Sequence, residues 1–191
     1  MQEAARRTQK ERSEAMRATL ISAGRMLFVR NGFAATGTPE IVAAAGVTRG
    51  ALYHHFADKE ALFEAVIRAE AETVALAVRR VNYAALSPVD ALIRGGEAFL
   101  EAMQVKGRTR LLLIEAAAVI GPARLAEIDA ETGSRTVAEG LAFAGCKDEP
   151  MAHLISAAYD RAALAIDQGA DPGPWRAALE RLLRGLVNAK D

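Results

Sequence analysis

Side chains that can hydrogen-bond to DNA fall close together in the segment from 41 to 56. They are Thr48, Arg49, Tyr53 and His54, which lie within seven residues of one another. On a helix that begins at Arg49, the last three face outward. An arginine pairs with the two acceptors of a guanine edge, and a tyrosine hydroxyl donates to a phosphate oxygen. These residue types in this order indicate contact with a nucleic acid.

The flanking residues predict two short helices joined by a tight turn. Thr38 is expected to cap the first helix, with Pro39 at its first position, and Gly46 is expected to end it in the left-handed conformation. Thr48 is expected to cap the second helix, which runs to about His55. This layout is typical of a helix-turn-helix, which places its second helix in the major groove.

The segment from about Thr19 to Val66 resembles the tetracycline-repressor (TetR-type) family of transcriptional regulators. The matching residues are Ala23, Leu27, Phe28, Gly32, Phe33, Thr36, Ile41, Ala45, Gly46, Val47, Gly50, Leu52, Tyr53, His55, Phe56, Lys59 and Leu62. The segment that contains them is about a quarter of the chain. The departures are Gly24, Val42 and Pro39, and none of them removes a contact group.

The fold class is expected to be all-α, because helical periodicity occurs throughout and no alternating strand is found. The resemblance implies a three-helix head over residues 1–57 and a larger ligand-binding and dimerisation body over residues 58–191. Helices are predicted over about 17–30, 58–81, 88–106, 108–120, 122–145 (interrupted near Gly133), 148–169 and from about 175, after a linker over 171–174. Residues 1–16 are expected to form a polar arm or to extend the first helix.

Charge and cysteine content set further expectations. Residues 1–63 contain nine Lys/Arg and six Asp/Glu, a balance of +3, and residues 64–191 have a balance of −3. Non-specific DNA binding should therefore be modest and salt-sensitive. The single cysteine, Cys146, fits a reducing compartment, and a cytoplasmic location without membrane insertion is expected.

Nine residues are candidates for DNA contact: Thr36, Thr38, Thr48, Arg49, Gly50, Ala51, Tyr53, His54 and Lys59. Six of them have a plainer alternative: the three threonines as helix caps, Arg49 as an exposed helix residue, Tyr53 as a half-buried aromatic ring and Lys59 as a solvated side chain. The basic residues Arg6, Arg7, Lys10 and Arg12 either enter the minor groove or form a solvated tail.

Two further groups are candidates in the body. Phe99, Met103, Glu115, Phe143 and Trp175 are candidates for a ligand pocket, with ordinary core packing, or an arginine partner for Glu115, as the alternative. In the family, the last two long helices pair across a two-fold axis. The apolar stripes suited to that pairing contain Ile155, Tyr159, Leu179, Leu182 and Leu186.

The function that these features imply is that of a homodimeric transcriptional regulator. The resemblance predicts a repressor that binds a palindromic operator in double-stranded DNA and is released by a small-molecule effector. No cofactor or metal is expected, because the adjacent His54 and His55 point about 100° apart and cannot both ligate one ion. An enzyme is disfavoured by the lack of a nucleophile elbow, phosphate loop or Glu-x-x-His pair. A protein-binding helical module remains an alternative.

Overall fold

The computed structural model describes the backbone of residues 2–188 and the side chains of residues 8–187. Helices and their connections make up this part of the chain, as the sequence predicts, and it contains no strand. The helices are α1 Gln2–Asn31, α2 Thr38–Ala45, α3 Arg49–His55, α4 Lys59–Arg79, α5 Pro88–Met103, α6 Arg108–Arg110, α7 Ala116–Ile120, α8 Pro122–Glu131, α9 Gly133–Phe143, α10 Glu149–Asp167 and α11 Pro172–Asn188. None of these helices is long and apolar enough to cross a membrane.

The described residues divide into two compact units, with the boundary inside α4, between Arg68 and Ala69. The first unit contains α1 to α3 and the beginning of α4. Its core is formed by apolar side chains at helical spacing: Leu20, Leu27, Phe28, Ile41, Leu52, Phe56, Leu62, Phe63 and Val66. The rings of Phe28, Phe33 and Phe63 lie within 5.0–5.8 Å of one another, and this aromatic cluster joins α1 to α4.

The start of α2 differs from the prediction. Gly37, not Thr38, occupies the N-cap position, and Thr38 is the first helical residue. The N–H of Gly37 donates to the Glu40 carboxylate at 3.1 Å. Since Glu40 satisfies this backbone donor from inside the helix, half of a capping box forms one residue earlier than a threonine cap would place it.

The second unit is built around α5, α10 and α11, with the end of α4. Its hydrophobic core includes Val74, Leu100, Met103, Leu141, Ile155, Tyr159, Ala162, Leu179 and Leu183. Between α6 and α7 the chain forms a π-helical segment, Leu111–Glu115, so the predicted helix over 108–120 is continuous but locally widened. The predicted interruption near Gly133 lies between α8 and α9.

The predicted linker over 171–174 is wrong for most of its length. Helix α11 begins at Pro172, and Asp171 precedes it, accepting a 2.9 Å hydrogen bond from the N–H of Gly173. Proline is compatible with the first turn of a helix because the backbone N–H groups there have no intrahelical acceptor. The prolines at 172 and 174 therefore start a helix instead of separating two helices.

Candidate nucleic-acid interface and ligand cavity

The turn between α2 and α3 has the geometry that the sequence predicts. Gly46 adopts the left-handed conformation, with φ 65° and ψ 31°. The N–H of Val47 donates to the carbonyl of Val42 at 3.0 Å, which closes the end of α2. Thr48 then caps α3, because its hydroxyl oxygen accepts from the N–H of Ala51 at 3.1 Å. A short, well-terminated α3 results, with Leu52 buried beneath it.

Three polar side chains form a cluster on the outer side of α3, which we call the α3 cluster: Arg49 and Tyr53 of α3 and Thr38 of α2. Tyr53 is 42% exposed, and hydrogen bonds from Arg49 and from Thr38 lower the pKa of its hydroxyl. The Arg49 guanidinium lies 5.4 Å from the centre of the Tyr53 ring. The cluster therefore presents a cation and a phenol side by side, from two helices, on an accessible surface.

The remaining predicted contact residues of α2 and α3 lie around this cluster. Gly50 and His54 are exposed, and so is Thr48, the residue that caps α3. Ala51 is half-buried. The ring of His54 packs edge-on against that of His55 at a centroid distance of 5.2 Å. The small side chains at 50 and 51 leave the backbone of α3 open to close approach.

Thr36 requires a correction. It is only 1% exposed, and its hydroxyl donates to the carbonyl of Gly32 at 2.7 Å. A side chain buried in this way cannot reach a phosphate. The alternative, a helix cap, does not describe it either, because Gly37 is the N-cap of α2 and the Thr36 hydroxyl binds within the loop between α1 and α2.

Lys59 has a contact that the sequence did not suggest. Its ammonium donates to the carbonyl oxygens of Phe33 and Thr36 at 2.9 and 3.0 Å. It also lies 4.2 Å from the centre of the Phe33 ring. Lys59, the first residue of α4, thus fixes the loop after α1. Its two acceptors lie 26 and 23 residues before it in the sequence. A role in DNA contact stays a prediction, while the structural role is visible.

Replacing Lys59 with methionine is expected to lower the free energy of unfolding by about 1–3 kcal/mol, because two partly buried carbonyls lose a charged donor. Urea unfolding followed by circular dichroism measures this. Lys10→Met is the matched control, since the Lys10 ammonium is highly exposed and lies 3.7 Å from Glu14 in a surface pair. Its effect should stay within about 0.5 kcal/mol. Equal effects of both variants would contradict the loop-fixing role.

The predicted basic arm is helical where the structure describes it. Helix α1 begins at Gln2, so the polar segment extends the first helix. Lys10 and Arg12 are exposed on it. The side chains of Arg6 and Arg7 lie outside the described residues.

The second unit encloses a cavity of about 100 Å³ between α4, α5, α8, α9, α10 and α11. Phe99 and Tyr159 form one aromatic wall, in an edge-to-face arrangement at 5.9 Å. The Tyr159 ring lies directly on Gly96, where an added Cβ would be 1.8 Å from the tyrosine oxygen. A glycine at 96 is therefore required for this wall to form.

The other predicted pocket residues lie elsewhere. Phe143 lines a neighbouring cavity of about 320 Å³. Met103 is buried in the core and borders a third cavity of about 220 Å³. The Glu115 carboxylate lies 3.1 Å from the Nε of Arg110. An arginine partner was the alternative that the sequence analysis left open for Glu115. Trp175 packs against the core, beneath the Arg161 guanidinium at 5.5 Å.

The polar lining of the first cavity was missed in the sequence. It includes Asp129, Ser156 and Asp160. Asp129 accepts hydrogen bonds from the N–H and the hydroxyl of Ser134. Burial and the nearby Asp129 carboxylate raise the pKa of Asp160 to about 6. The Ser156 hydroxyl oxygen is buried and has no hydrogen-bond partner among the described residues.

Three of the five predicted dimer-interface residues are core residues instead. Ile155, Tyr159 and Leu179 are buried within the second unit. The reason is helical phase, since the face of each helix that packs inward is the one that carries these side chains. Leu182 is 46% exposed, and Leu186 is partly buried against the core. The most exposed large apolar residue of α10, Leu154 at 64%, was not predicted.

Comparison with known proteins relates both units to one family. Residues 20–66 match the family model described as bacterial regulatory proteins, tetR family. The chain is 31% identical to the A-factor receptor protein of Streptomyces griseus over 128 residues, which cover 60% of this chain and 44% of that protein. It is 43% identical to the HTH-type transcriptional regulator TtgR of Pseudomonas putida over 68 residues, 36% of this chain and 32% of that protein.

A solved structure extends the likeness beyond the first unit. The TetR-family transcriptional regulator from Pectobacterium atrosepticum superposes with a TM-score of 0.68 at 28% identity, over 94% of this chain and 95% of that chain. The chain spans less than half the length of the two curated relatives above. The matched family is one of regulatory proteins and not of enzymes, in agreement with the sequence-based expectation.

Proposed function

Because this chain belongs to the tetR family of bacterial regulatory proteins, we propose that it is a homodimeric repressor that binds a palindromic operator. A small-molecule effector bound in the second unit releases it from DNA. The observation that carries the proposal is the α3 cluster, with Arg49 and Tyr53 together on the accessible side of a short helix. The net charge of +3 over residues 1–63 has the sign that DNA requires.

The two main side chains of the α3 cluster have different tasks in this proposal. Arg49, at the first position of α3, reads a guanine edge in the major groove, since its two donors match the guanine acceptors. Tyr53, one turn later, donates its hydroxyl to a phosphate and so positions the helix.

Arg49→Ala is expected to weaken binding to the operator by about 1–3 kcal/mol and to relax the base preference at one position of each half-site. Tyr53→Ala is expected to weaken binding to all sequences alike, because a phosphate contact carries no sequence information. Fluorescence anisotropy measures both effects, with an operator obtained by selection from random duplex DNA and with single-base variants of that operator. Equal binding by the wild type and both variants would contradict these assignments.

Tyr53→Phe and Lys106→Ala are the matched controls for this experiment. Tyr53→Phe keeps the ring beneath Arg49 and removes only the hydroxyl, so the base preference should persist while affinity falls. Lys106 is an exposed cation of the second unit, and its removal should leave affinity unchanged. Binding that falls equally in Lys106→Ala and Arg49→Ala would indicate a general electrostatic effect.

The proposed dimer surface lies on the outer side of α10 and α11. Leu154 and Leu182 are exposed there, next to the small exposed residues Ala157 and Ala178. Large apolar side chains that remain exposed beside small residues favour helix packing against a partner. A two-fold axis between identical copies brings the same patch of each copy together and presents two heads to a palindrome.

Leu182→Asp is expected to raise the dimer dissociation constant more than about 10-fold, since each dimer would bury two new charges. Sedimentation velocity measures the dissociation constant, and operator affinity should fall in parallel. Val105→Asp is the control, because Val105 is as exposed as Leu182 but lies in the loop after α5. A dimer that Leu182→Asp leaves unchanged would contradict the proposed surface.

Release by an effector requires a site in the second unit, and the cavity beside Phe99 and Tyr159 is the site that we assign to it in this proposal. A ligand that binds better to the released state shifts the population toward it, and operator DNA must weaken ligand binding by the same factor. The Streptomyces griseus relative is named a receptor, which supports a ligand-responsive second unit.

A further inference from the structure

We propose that the effector cavity accepts a compact amphipathic cation, with an apolar body against Phe99 and Tyr159 and a protonated nitrogen beside Asp160. This inference rests on the proposed function and specifies the chemical class of the effector. It is carried by the charges and hydrogen-bonding groups of the cavity wall.

The cavity separates apolar and polar surfaces. Helices α4 and α5 contribute Val74, Val78 and Phe99, among other apolar side chains. Helix α10 contributes Ser156 and Asp160, which are four residues apart and therefore lie on one side of that helix. A ligand with one apolar end and one polar end has a single favourable orientation in such a site.

The charge of the wall selects the sign of the polar end. Asp129 and Asp160 both line the cavity, and no lysine or arginine is among the described residues that line it. Asp129 has the N–H and hydroxyl of Ser134 as donors. The Asp160 carboxylate receives no hydrogen bond and no ion pair within the described part of the chain, while Asp129 repels its charge. A cation placed beside Asp160 gives this carboxylate a partner and offsets its repulsion by Asp129.

The hydroxyl of Ser156 supports the same class of ligand. Its oxygen is buried without a partner among the described residues, one turn from Asp160. A protonated amine or amidinium carries several N–H donors and can serve Ser156 and Asp160 together. An anionic ligand would be repelled by both carboxylates, and a purely apolar ligand would leave these groups without partners.

The aromatic wall adds a second contribution. A cation close to the faces of Phe99 or Tyr159 is attracted by the ring quadrupole. The neighbouring cavity of about 320 Å³ shares the lining residues Val78, Leu92 and Thr136 with the first. The minimal ligand is a single ring with one charged arm.

Benzylammonium, benzyl alcohol and benzoate test the inference, since they share one ring and differ in the charge of the arm. Titration calorimetry and thermal shift at about pH 8, where the Asp160 carboxyl is ionised, measure binding to the full chain without DNA. Benzylammonium is expected to bind on the order of 10-fold more tightly than benzyl alcohol, and benzoate should bind weakest. Asp160→Asn should abolish the preference for the cation, and Ser156→Ala should weaken it.

Glu149→Gln is the matched control, because it removes one carboxylate from an exposed position of the same helix. It should leave the preference unchanged. Benzyl alcohol binding as tightly as benzylammonium, an unaltered preference in Asp160→Asn, or no binding of benzylammonium would each overturn the inference. None of these outcomes affects the DNA-binding proposal, which is measured without ligand and depends on the α3 cluster.

Discussion

Replacing Arg108 with methionine is expected to lower the free energy of unfolding of the second unit by about 3–5 kcal/mol. Arg108 and Glu70 are both buried, and the Nε of Arg108 lies 2.8 Å from the Glu70 carboxylate. The Nη1 of Arg108 also donates to the carbonyl of Ala102 at 2.5 Å. Methionine fills much of the same volume but leaves the buried Glu70 carboxylate with no countercharge from position 108.

Two further variants distinguish this buried pair from an ordinary one. Arg135→Met removes the cation of an exposed pair with Glu139 at 2.9 Å, and its effect should stay below about 1 kcal/mol. The double variant Glu70→Leu, Arg108→Met removes both charges and should recover most of the stability that the single variant loses. Urea unfolding provides all three free energies. A loss in Arg108→Met no larger than in Arg135→Met would contradict the buried-pair assignment.

Asp160→Asn is expected to stabilise the protein at neutral pH, by about 1–3 kcal/mol relative to wild type. Burial and Asp129 raise the pKa of Asp160 to about 6, above the ordinary value of 3.8. At pH values between these two pKa values, the Asp160 carboxyl binds more protons in the folded state than in the unfolded state. The contribution of Asp160 to stability therefore falls as pH rises through this window, and the asparagine variant does not experience that loss.

Urea unfolding of both proteins at a series of pH values tests the predicted direction of this pH dependence. The advantage of Asp160→Asn should be absent below about pH 4 and should reach its full size above about pH 6. Asp90 provides a control of opposite sign, because hydrogen bonds from Ser87 and Arg184 lower its pKa. Asp90→Asn should therefore destabilise at neutral pH and lose this effect in acid. An advantage of Asp160→Asn that does not change with pH would contradict the carboxylate explanation.

The sequence predicted the local geometry of the helix-turn-helix because its signals are local. Gly46 and Thr48 act on backbone groups only a few residues away, so α2 ends at Gly46 and α3 begins after Thr48, as the sequence predicts. The predicted α2 cap, Thr38, is wrong by one residue, because glycine also occurs at the N-cap position and residue type alone does not exclude it there. In the structure the N–H of Gly37 donates to the Glu40 carboxylate, an interaction that residue type at 38 does not indicate.

Long-range contacts could not be predicted in this way. The carbonyl acceptors of Lys59 are more than twenty residues away, and the aromatic wall depends on Tyr159 meeting Gly96 across two helices. Helical periodicity predicts that an apolar stripe exists but not how the helix is rotated in the bundle. For that reason Leu179, assigned to a dimer surface, is buried, while Leu182 is exposed.

The most direct test of the central claim is selection of random duplex DNA by the purified full chain, followed by sequencing of the retained molecules. The proposed function predicts recovery of a palindrome whose half-sites are separated by about one helical turn, or a multiple of it. Arg49→Ala should recover a palindrome with one less-defined position in each half-site. Recovery of no motif, with retention that vanishes as salt rises, would contradict a sequence-reading dimer and favour a protein-binding role for the exposed helix surfaces.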